Sequence, residues 1–395
     1  MGKTLTKIAQ TLKDTDKKVQ LIYAFNGVGK TRLSREFKEL VAPKTEGEET
    51  EEDKPLKVLY YNAFTEDLFY GDNDLNEDTN RKLIIHPNSF TDWILKDQGQ
   101  ESNIITHFQH YTNDKLTPSF NEDYTIKNTD GKDIIVRAFS EIKFSLESGD
   151  NNRIDNVKIS KGEESCLIWC VYYSLIKLVV DTLNESEPTN RDTNQFDELE
   201  YIFIDDPVSS LDENHLIELA VNIAELIRTS QSDVKFIITT HNPLFYNVLY
   251  NELELKKKNK IGNECCYLLN KEDDGTYELN GKLGDSNKSF SYHLHLRQIL
   301  QDAVNHNSIE KYHFMLLRNL YEKTANFLGY LKWSDLLPDD KKTYYNRIIQ
   351  FTSHSTLSNE TIPEPTEPEK NTLKLLLKHL IDNYSYYKEE QNGTV

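Results

Sequence analysis

The stretch AFNGVGKT, Ala24 to Thr31, is preceded by the apolar run VQLIY and followed by RLSREFKEL. Strand, glycine-containing turn and helix in that order are the context a phosphate-binding loop requires. Backbone N–H groups from Asn26 to Lys30, those of Gly27 and Gly29 among them, are expected to cradle the phosphates. Lys30 would reach the β and γ oxygens, and Thr31 would ligate Mg²⁺. The usual pattern opens on glycine; here Ala24 takes that place.

Downstream, YIFIDDP supplies the second half of the chemistry. Its apolar residues are of the kind buried parallel strands show, and they carry Asp205 to a strand end. Asp205 is expected to hold the Mg²⁺ shell and Asp206 to polarise the attacking water. ISKGEES (Ile159 to Ser165) comes before the long apolar run CLIWCVYYSLIKLVV, SSLD (Ser209 to Asp212) follows the two aspartates, and TTH ends a later apolar run at His241.

Motifs in this order resemble the heads of ABC-type ATPases, in which the signature segment of one chain caps the nucleotide held by another. The resemblance implies that Ser160 and Gly162 face the γ-phosphate across a homodimer interface, that Asp212 joins the nucleotide-binding set, and that His241 senses the γ-phosphate. Asp206 stands where many such heads have glutamate, and the shorter carboxylate implies slow turnover suited to a switch. Gln98, Gln100 and Gln109 are all open as the glutamine loop, and ATP and GTP are both open as the nucleotide. NKED (Asn270 to Asp273) matches a guanine-reading tetrapeptide, but it lies beside the turn residues Asp274 and Gly275, so turn chemistry accounts for it.

A chain of 395 residues exceeds one ordinary core, since single cores stop growing near about 250–300 residues. The expected class is α/β: an ABC-type P-loop NTPase head over residues 1–283 and a smaller, mainly α-helical domain over 284–395. Residues 44–54 hold an acidic loop, 358–370 read as a Pro and Glu linker, and a last amphipathic helix is expected from Leu373 to Tyr384. Lys57 to Phe64 read as a strand, Asn88 to Lys115 as mainly helical, and DIIVRAFSEIKFSL (Asp133 to Leu146) alternates like strands.

The longest apolar run carries Ser174 and Lys177 and reads as a buried helix rather than a membrane span. MGKTLT fits a loose myristoylation pattern, but a helix-forming amphipathic start is the favoured reading. Cys166 with Cys170 and the vicinal Cys265 and Cys266 lack zinc spacing, and a reducing cytoplasm is the simplest compartment. The net charge of −19 argues against unspecific polyanion binding. The stretch from Gly281 to Gln350 nevertheless has ten Lys and Arg against seven Asp and Glu, so an acidic protein can still hold RNA there.

In FMLLRNLYEKTANF (Phe314 to Phe327), Arg318 and Glu322 are four positions apart and project from one helical face. Taken alone the pair reads as a surface salt bridge; with His354 from FTSHST the set becomes sufficient for metal-free RNA cleavage. One of Glu322 and His354 removes the 2′-OH proton, the other protonates the departing 5′-oxygen, and Arg318 stabilises charge on the phosphate. A regulatory ABC-type ATPase of DNA repair without nuclease activity is the alternative. A long coiled coil between phosphate loop and signature, as in SMC-like ATPases, is not expected, because no heptads are sustained there.

The head motifs, YNAFTEDLFY (Tyr61 to Tyr70), and Arg-x-x-x-Glu followed by a histidine resemble the PrrC-type anticodon nucleases over nearly the whole chain. That resemblance implies cleavage of lysine tRNA 5′ to the wobble nucleotide, leaving a 2′,3′-cyclic phosphate and a 5′-hydroxyl. It also implies silencing by a type I restriction-modification complex and release by a phage-encoded activator. KLGDSNKSFSYHLHLRQ (Lys282 to Gln298) resembles the anticodon-recognising stretch. Asp285 would accept hydrogen bonds from an aminoalkylated wobble base, Lys288 and Arg297 would take phosphates, and Tyr292 would stack.

Overall fold

The strand Val19–Tyr23 is buried along its whole length and lies inside a six-stranded sheet. From edge to edge the order is Tyr277–Gly281, Cys266–Lys271, Val19–Tyr23, Lys235–Thr240, Tyr201–Asp205 and Val58–Asn62. All neighbours pair in parallel except the first two, which form an antiparallel hairpin. The computed structural model describes residues 2–43, 56–62, 69–72, 81–85, 93–127, 132–147, 153–208, 213–272, 274–283, 292–338, 342, 345 and 364–384. The chain divides into two units, Met1–Asp285 and Ser286–Val395.

Continuous apolar runs become central parallel strands because both sheet faces are covered. The helices Leu5–Asp14 and Lys30–Val41 share one apolar cluster, in which Ile8, Ala9, Leu12, Leu33 and Phe37 meet Ile22, Phe203 and Ile237. The amphipathic start is therefore a core helix, and the Thr4 side chain caps it by accepting from the Lys7 N–H. The helix Lys161–Asn184 is long and apolar enough to cross a membrane by length and composition, yet 78% of its most apolar window is buried within the protein. It packs as a core element, with Trp169 and Tyr172 closing over Tyr61.

A second sheet in the same unit orders Phe69–Asp72, Lys82–Ile85, Glu141–Glu147 and Leu116–Phe120, with Arg153–Ile154 beside Glu141–Glu147. The alternating segment from Asp133 to Leu146 thus serves two sheets, since Asp133–Val136 pairs instead with Tyr124–Lys127. The break falls at Phe139, which takes a left-handed φ of 59°. Asn121 holds that corner by accepting from the Ser140 and Glu141 N–H groups and donating to the Arg137 carbonyl. The segment read as mainly helical contains the short π-helix Trp93–Asp97 and the α-helix Glu101–Tyr111.

The C-terminal unit is built on the helices Tyr292–Asn305, Lys311–Leu328 and Glu367–Asn383 and the 3₁₀ turn Trp333–Leu336. Leu296, Leu300, Phe314, Leu317, Tyr321, Leu373, Leu376 and Leu380 form its core. Each such side chain contributes about 1.5–3 kcal/mol on leaving water, and the Tyr321 hydroxyl donates to the Leu376 carbonyl at 2.9 Å. The last helix begins at Glu367, inside the stretch read as a linker and six residues before Leu373. Thr366 and Glu369 form a capping box there, and proline is tolerated in a first helical turn, where its missing N–H would be unsatisfied anyway.

Candidate functional site

The phosphate loop turns on two glycines with positive φ, Gly27 at 80° and Gly29 at 111°. A Cβ on Gly27 would meet nothing within 4 Å, so the loop leaves open room for a ligand against its backbone. Gly29 caps the helix Lys30–Val41, whose N-terminal N–H groups and dipole suit phosphate oxygens. Ala24, where glycine is usual, is fully buried within the apolar cluster, and its N–H donates to the Thr240 carbonyl.

Lys30 is buried and its Nζ donates to the Ala24 carbonyl at 3.3 Å and to Asn26 Oδ1 at 3.1 Å, with Asp206 Oδ2 at 3.3 Å. Sheet register sets Asp205 beside Thr239. Thr239 Oγ1 donates to Asp205 Oδ1 at 2.6 Å, and Thr31 Oγ1 to Oδ2 at 2.9 Å. The Tyr60 hydroxyl is the third donor to this carboxylate, at 3.3 Å from Oδ2, and itself accepts from Ser34 Oγ at 2.9 Å. Thr31 and Asp205 offer the hard oxygen donors that suit Mg²⁺, which keeps several waters and needs only one or two protein ligands.

Asp206 sits at a left-handed φ of 52° directly after its strand. Aspartate tolerates that region better than most residues. The turn places its carboxylate against His241, whose Nδ1 lies 2.7 Å from Oδ2 and whose N–H donates to Oδ1 at 3.2 Å. The two neighbouring carboxyls are pushed apart. Burial raises Asp205 above the usual range against the pull of Thr239 and Thr31. Burial raises Asp206 too, but the hydrogen bond from His241 and the charge of Lys30 outweigh it and hold the group below its ordinary value. Asp205 thus faces three hydroxyl groups, and Asp206 faces the Lys30 ammonium and the His241 ring.

Ser160 caps the helix Lys161–Asn184 through a capping box with Glu163, and Ser160 and Gly162 are exposed at its N-terminus. Gln100 donates to the Gln98 carbonyl, and Gln109 to the Asp114 carbonyl and Thr117 hydroxyl. Of the NKED segment, Asn270 and Lys271 end the strand Cys266–Lys271 and Asp273 lies outside the described residues; just beyond it Asp274 Oδ1 accepts from the Thr276 N–H and Gly275 has φ 80°. In the other unit, Arg318 Nε donates to Glu322 Oε1 at 2.9 Å on the helix Lys311–Leu328. Arg318 Cζ lies 5.9 Å from the Trp333 ring centroid. Arg297 is half-buried on the helix Tyr292–Asn305, where burial and its charge lower the pKa of His293. Tyr292 begins that helix. Asp212, Asp285, Lys288 and His354 lie outside the described residues.

Residues 143–378 match the family model described as an AAA domain. An anticodon nuclease of Escherichia coli is 56% identical over 418 aligned positions, covering 100% of both chains. The chain belongs to the anticodon nuclease family. Its fold is a P-loop NTPase head followed by a smaller, mainly helical unit. Among solved structures, the Smc head domain with a coiled coil and joint from Pyrococcus yayanosii covers 51% of this chain and 29% of its own, at 12% identity and TM-score 0.27. The SMC head domain from Thermotoga maritima covers 49% and 51%, at 10% identity and TM-score 0.24.

In this member of the anticodon nuclease family, sequence motifs do not point to Tyr60 and Ser34 near Asp205, or to Trp333 beside Arg318. Thr239 is legible in part, since the TTH motif that marks His241 contains it. Tyr60 carries no local signal. It reaches Asp205 because the strands Val58–Asn62 and Tyr201–Asp205 pair in parallel, with Tyr60 opposite Phe203.

Proposed function

We propose that the chain is a nucleotide-regulated anticodon nuclease that cleaves lysine tRNA 5′ to the wobble nucleotide. The substrate's own 2′-OH attacks the adjacent phosphorus, the P–O5′ bond breaks, and the products carry a 2′,3′-cyclic phosphate and a 5′-hydroxyl. Arg318 stabilises charge on the phosphate, and Glu322 and His354 divide the roles of base and acid. Asp285, Lys288, Tyr292 and Arg297 hold the anticodon loop. The head binds ATP or GTP with Mg²⁺ on Thr31 and Asp205, and Asp206 and His241 serve hydrolysis. Two heads close on each other with Ser160, Gly162 and Asp212 completing the nucleotide sites. The protein acts in the cytoplasm as a phage-defence effector, silenced by a type I restriction-modification complex and released by a phage-encoded activator.

The observation that carries this reading is the Arg318–Glu322 pair on one helical face, in a chain that aligns end to end with a relative named as an anticodon nuclease. The test is the chemistry of the ends. tRNA recovered after expression should be cut once in the anticodon loop, with cyclic phosphate and 5′-hydroxyl termini. An anticodon stem-loop with 2′-deoxyribose before the wobble base should survive, and EDTA added after activation should not stop the cut. Cleavage of the deoxy substrate or 5′-phosphate ends would replace the mechanism with metal-assisted attack by water.

A further inference from the structure

The helix that carries Arg318 ends at Gly329, whose left-handed φ of 80° lets the chain reverse. The reversal returns the 3₁₀ turn Trp333–Leu336 to the helix it has just left. That turn is anchored. The Leu336 carbonyl lies 3.2 Å from His379 Nε2 and accepts from the Tyr384 hydroxyl at 3.0 Å. The Trp333 ring stands 6.3 Å from Tyr321 in an edge-on arrangement at 71°, and Tyr321 is fully buried.

Against this fixed indole, the Arg318 guanidinium lies 5.9 Å from the ring centroid while its Nε donates to Glu322. The two contacts restrain different motions. A hydrogen bond at Nε limits rotation within the guanidinium plane, and an aromatic face limits tilt of that plane. A phosphate passing through a crowded, more charged state gains most from a donor that needs no reorganisation at that moment. Both contacts act on a long side chain that keeps 26% of its surface open to solvent, whose flexible stem carries rotamer entropy to be restrained.

We propose that Trp333 is a positioning residue for the nuclease reaction, holding the Arg318 guanidinium in the orientation from which it meets the scissile phosphate. The inference rests on the reading of Arg318 as the group that stabilises that phosphate. Trp333 acts on the step through Arg318, so its loss slows the chemical step and leaves RNA binding alone.

The test uses the full-length protein and a lysine tRNA anticodon stem-loop, with kcat and KM measured separately. Trp333→Leu should lower kcat by about tenfold, the rate equivalent of a partly desolvated cation–π contact, with KM unchanged. Trp333→Phe, which keeps an aromatic face and the core packing, should recover most of that loss. Thermal melting should show both variants fully folded at the assay temperature, with Trp333→Leu the less stable because it removes packing on Tyr321. A rise in KM at unchanged kcat would make Trp333 an RNA-stacking residue and overturn the inference, as would a Trp333→Phe variant as slow as Trp333→Leu. Parental cutting by Arg318→Ala would overturn both the reading of the site and the inference built on it. A slow Arg318→Ala beside an unaffected Trp333→Leu would overturn the inference alone.

Discussion

Lys30 and Asp206 form a buried ion pair of 3.3 Å that joins the phosphate loop to the end of the strand Tyr201–Asp205. The same carboxylate takes the His241 ring, so Asp206 bridges the cation and the histidine. A triphosphate bound at the loop would compete with Asp206 for the Lys30 ammonium and would thereby couple phosphate binding to the freedom of Asp206 and His241.

Lys30→Ala should therefore abolish nucleotide hydrolysis and also prevent nucleotide-dependent switching of RNA cleavage. Removing Lys30 leaves Asp206 with its His241 contacts, so the loss of stability should fall below about 3–5 kcal/mol, the cost of a buried charge left with no partner, and melting should be recorded beside both activities. A Lys30→Ala protein that still cuts RNA only when nucleotide is added would sink the coupling.

Asp205→Asn should separate stability from function. Burial disfavours the Asp205 charge, while Thr31 and Thr239 donate to oxygens of which the amide retains one. Without Mg²⁺ the variant should be more stable by about 1 kcal/mol, in the range of other substitutions that relieve a functional strain. Its Mg²⁺-dependent hydrolysis should fall to background. Denaturant melts in EDTA together with phosphate release decide it, and a less stable variant would mean that the carboxylate is structurally required.

Acid sensitivity of the head should depend on His107. Burial, with Lys177 and His110 nearby, lowers its pKa from 6.5 to about 4. The folded state refuses a proton that the unfolded chain accepts, so stability declines as pH falls from 6.5 toward 4 and changes little more below that on this account. His107→Phe, which can keep the edge contact to Tyr173, should flatten that decline. Urea melts at pH 7 and pH 5 give the comparison, and an identical pH slope in the variant would assign the decline to other groups.

Glu322→Gln and His354→Ala should each slow RNA cleavage by about 10²–10⁴, the usual share of a general acid or base, while hydrolysis by the head stays near parental. The bell-shaped pH–rate profile should lose one limb in each variant. Parental cutting by His354→Ala would make that histidine structural.

Much of the candidate site is legible in the amino-acid sequence alone. A glycine-bearing turn between an apolar run and a helical pattern, and an apolar run ending in two aspartates, describe backbone states that neighbouring residues dictate by themselves. Arg318 and Glu322 are legible for the same reason, because a four-residue spacing on a helix is already a distance. The start of the last helix is not, because Pro and Glu read as linker composition, whereas Thr366 and Glu369 use the same residues to cap a helix.

Tertiary structure decided everything that depends on which strands lie side by side. Tyr60 reaches Asp205, Thr239 reaches the same carboxylate, and Tyr277 offers its hydroxyl to Arg32 on the phosphate-loop helix. These contacts follow from sheet order and register. Many buried residues set that register jointly, since a slip of one position would turn each strand's side chains to the opposite face. The approach of Trp333 to Arg318 has the same origin, because it needs the reversal at Gly329 and the anchoring of Leu336 by a helix that begins far along the chain. What the sequence by itself determined is the set of groups available for phosphate and RNA chemistry and their local spacing. The orientation of those groups belongs to the fold, because it is fixed by burial energies summed over residues that are distant in sequence.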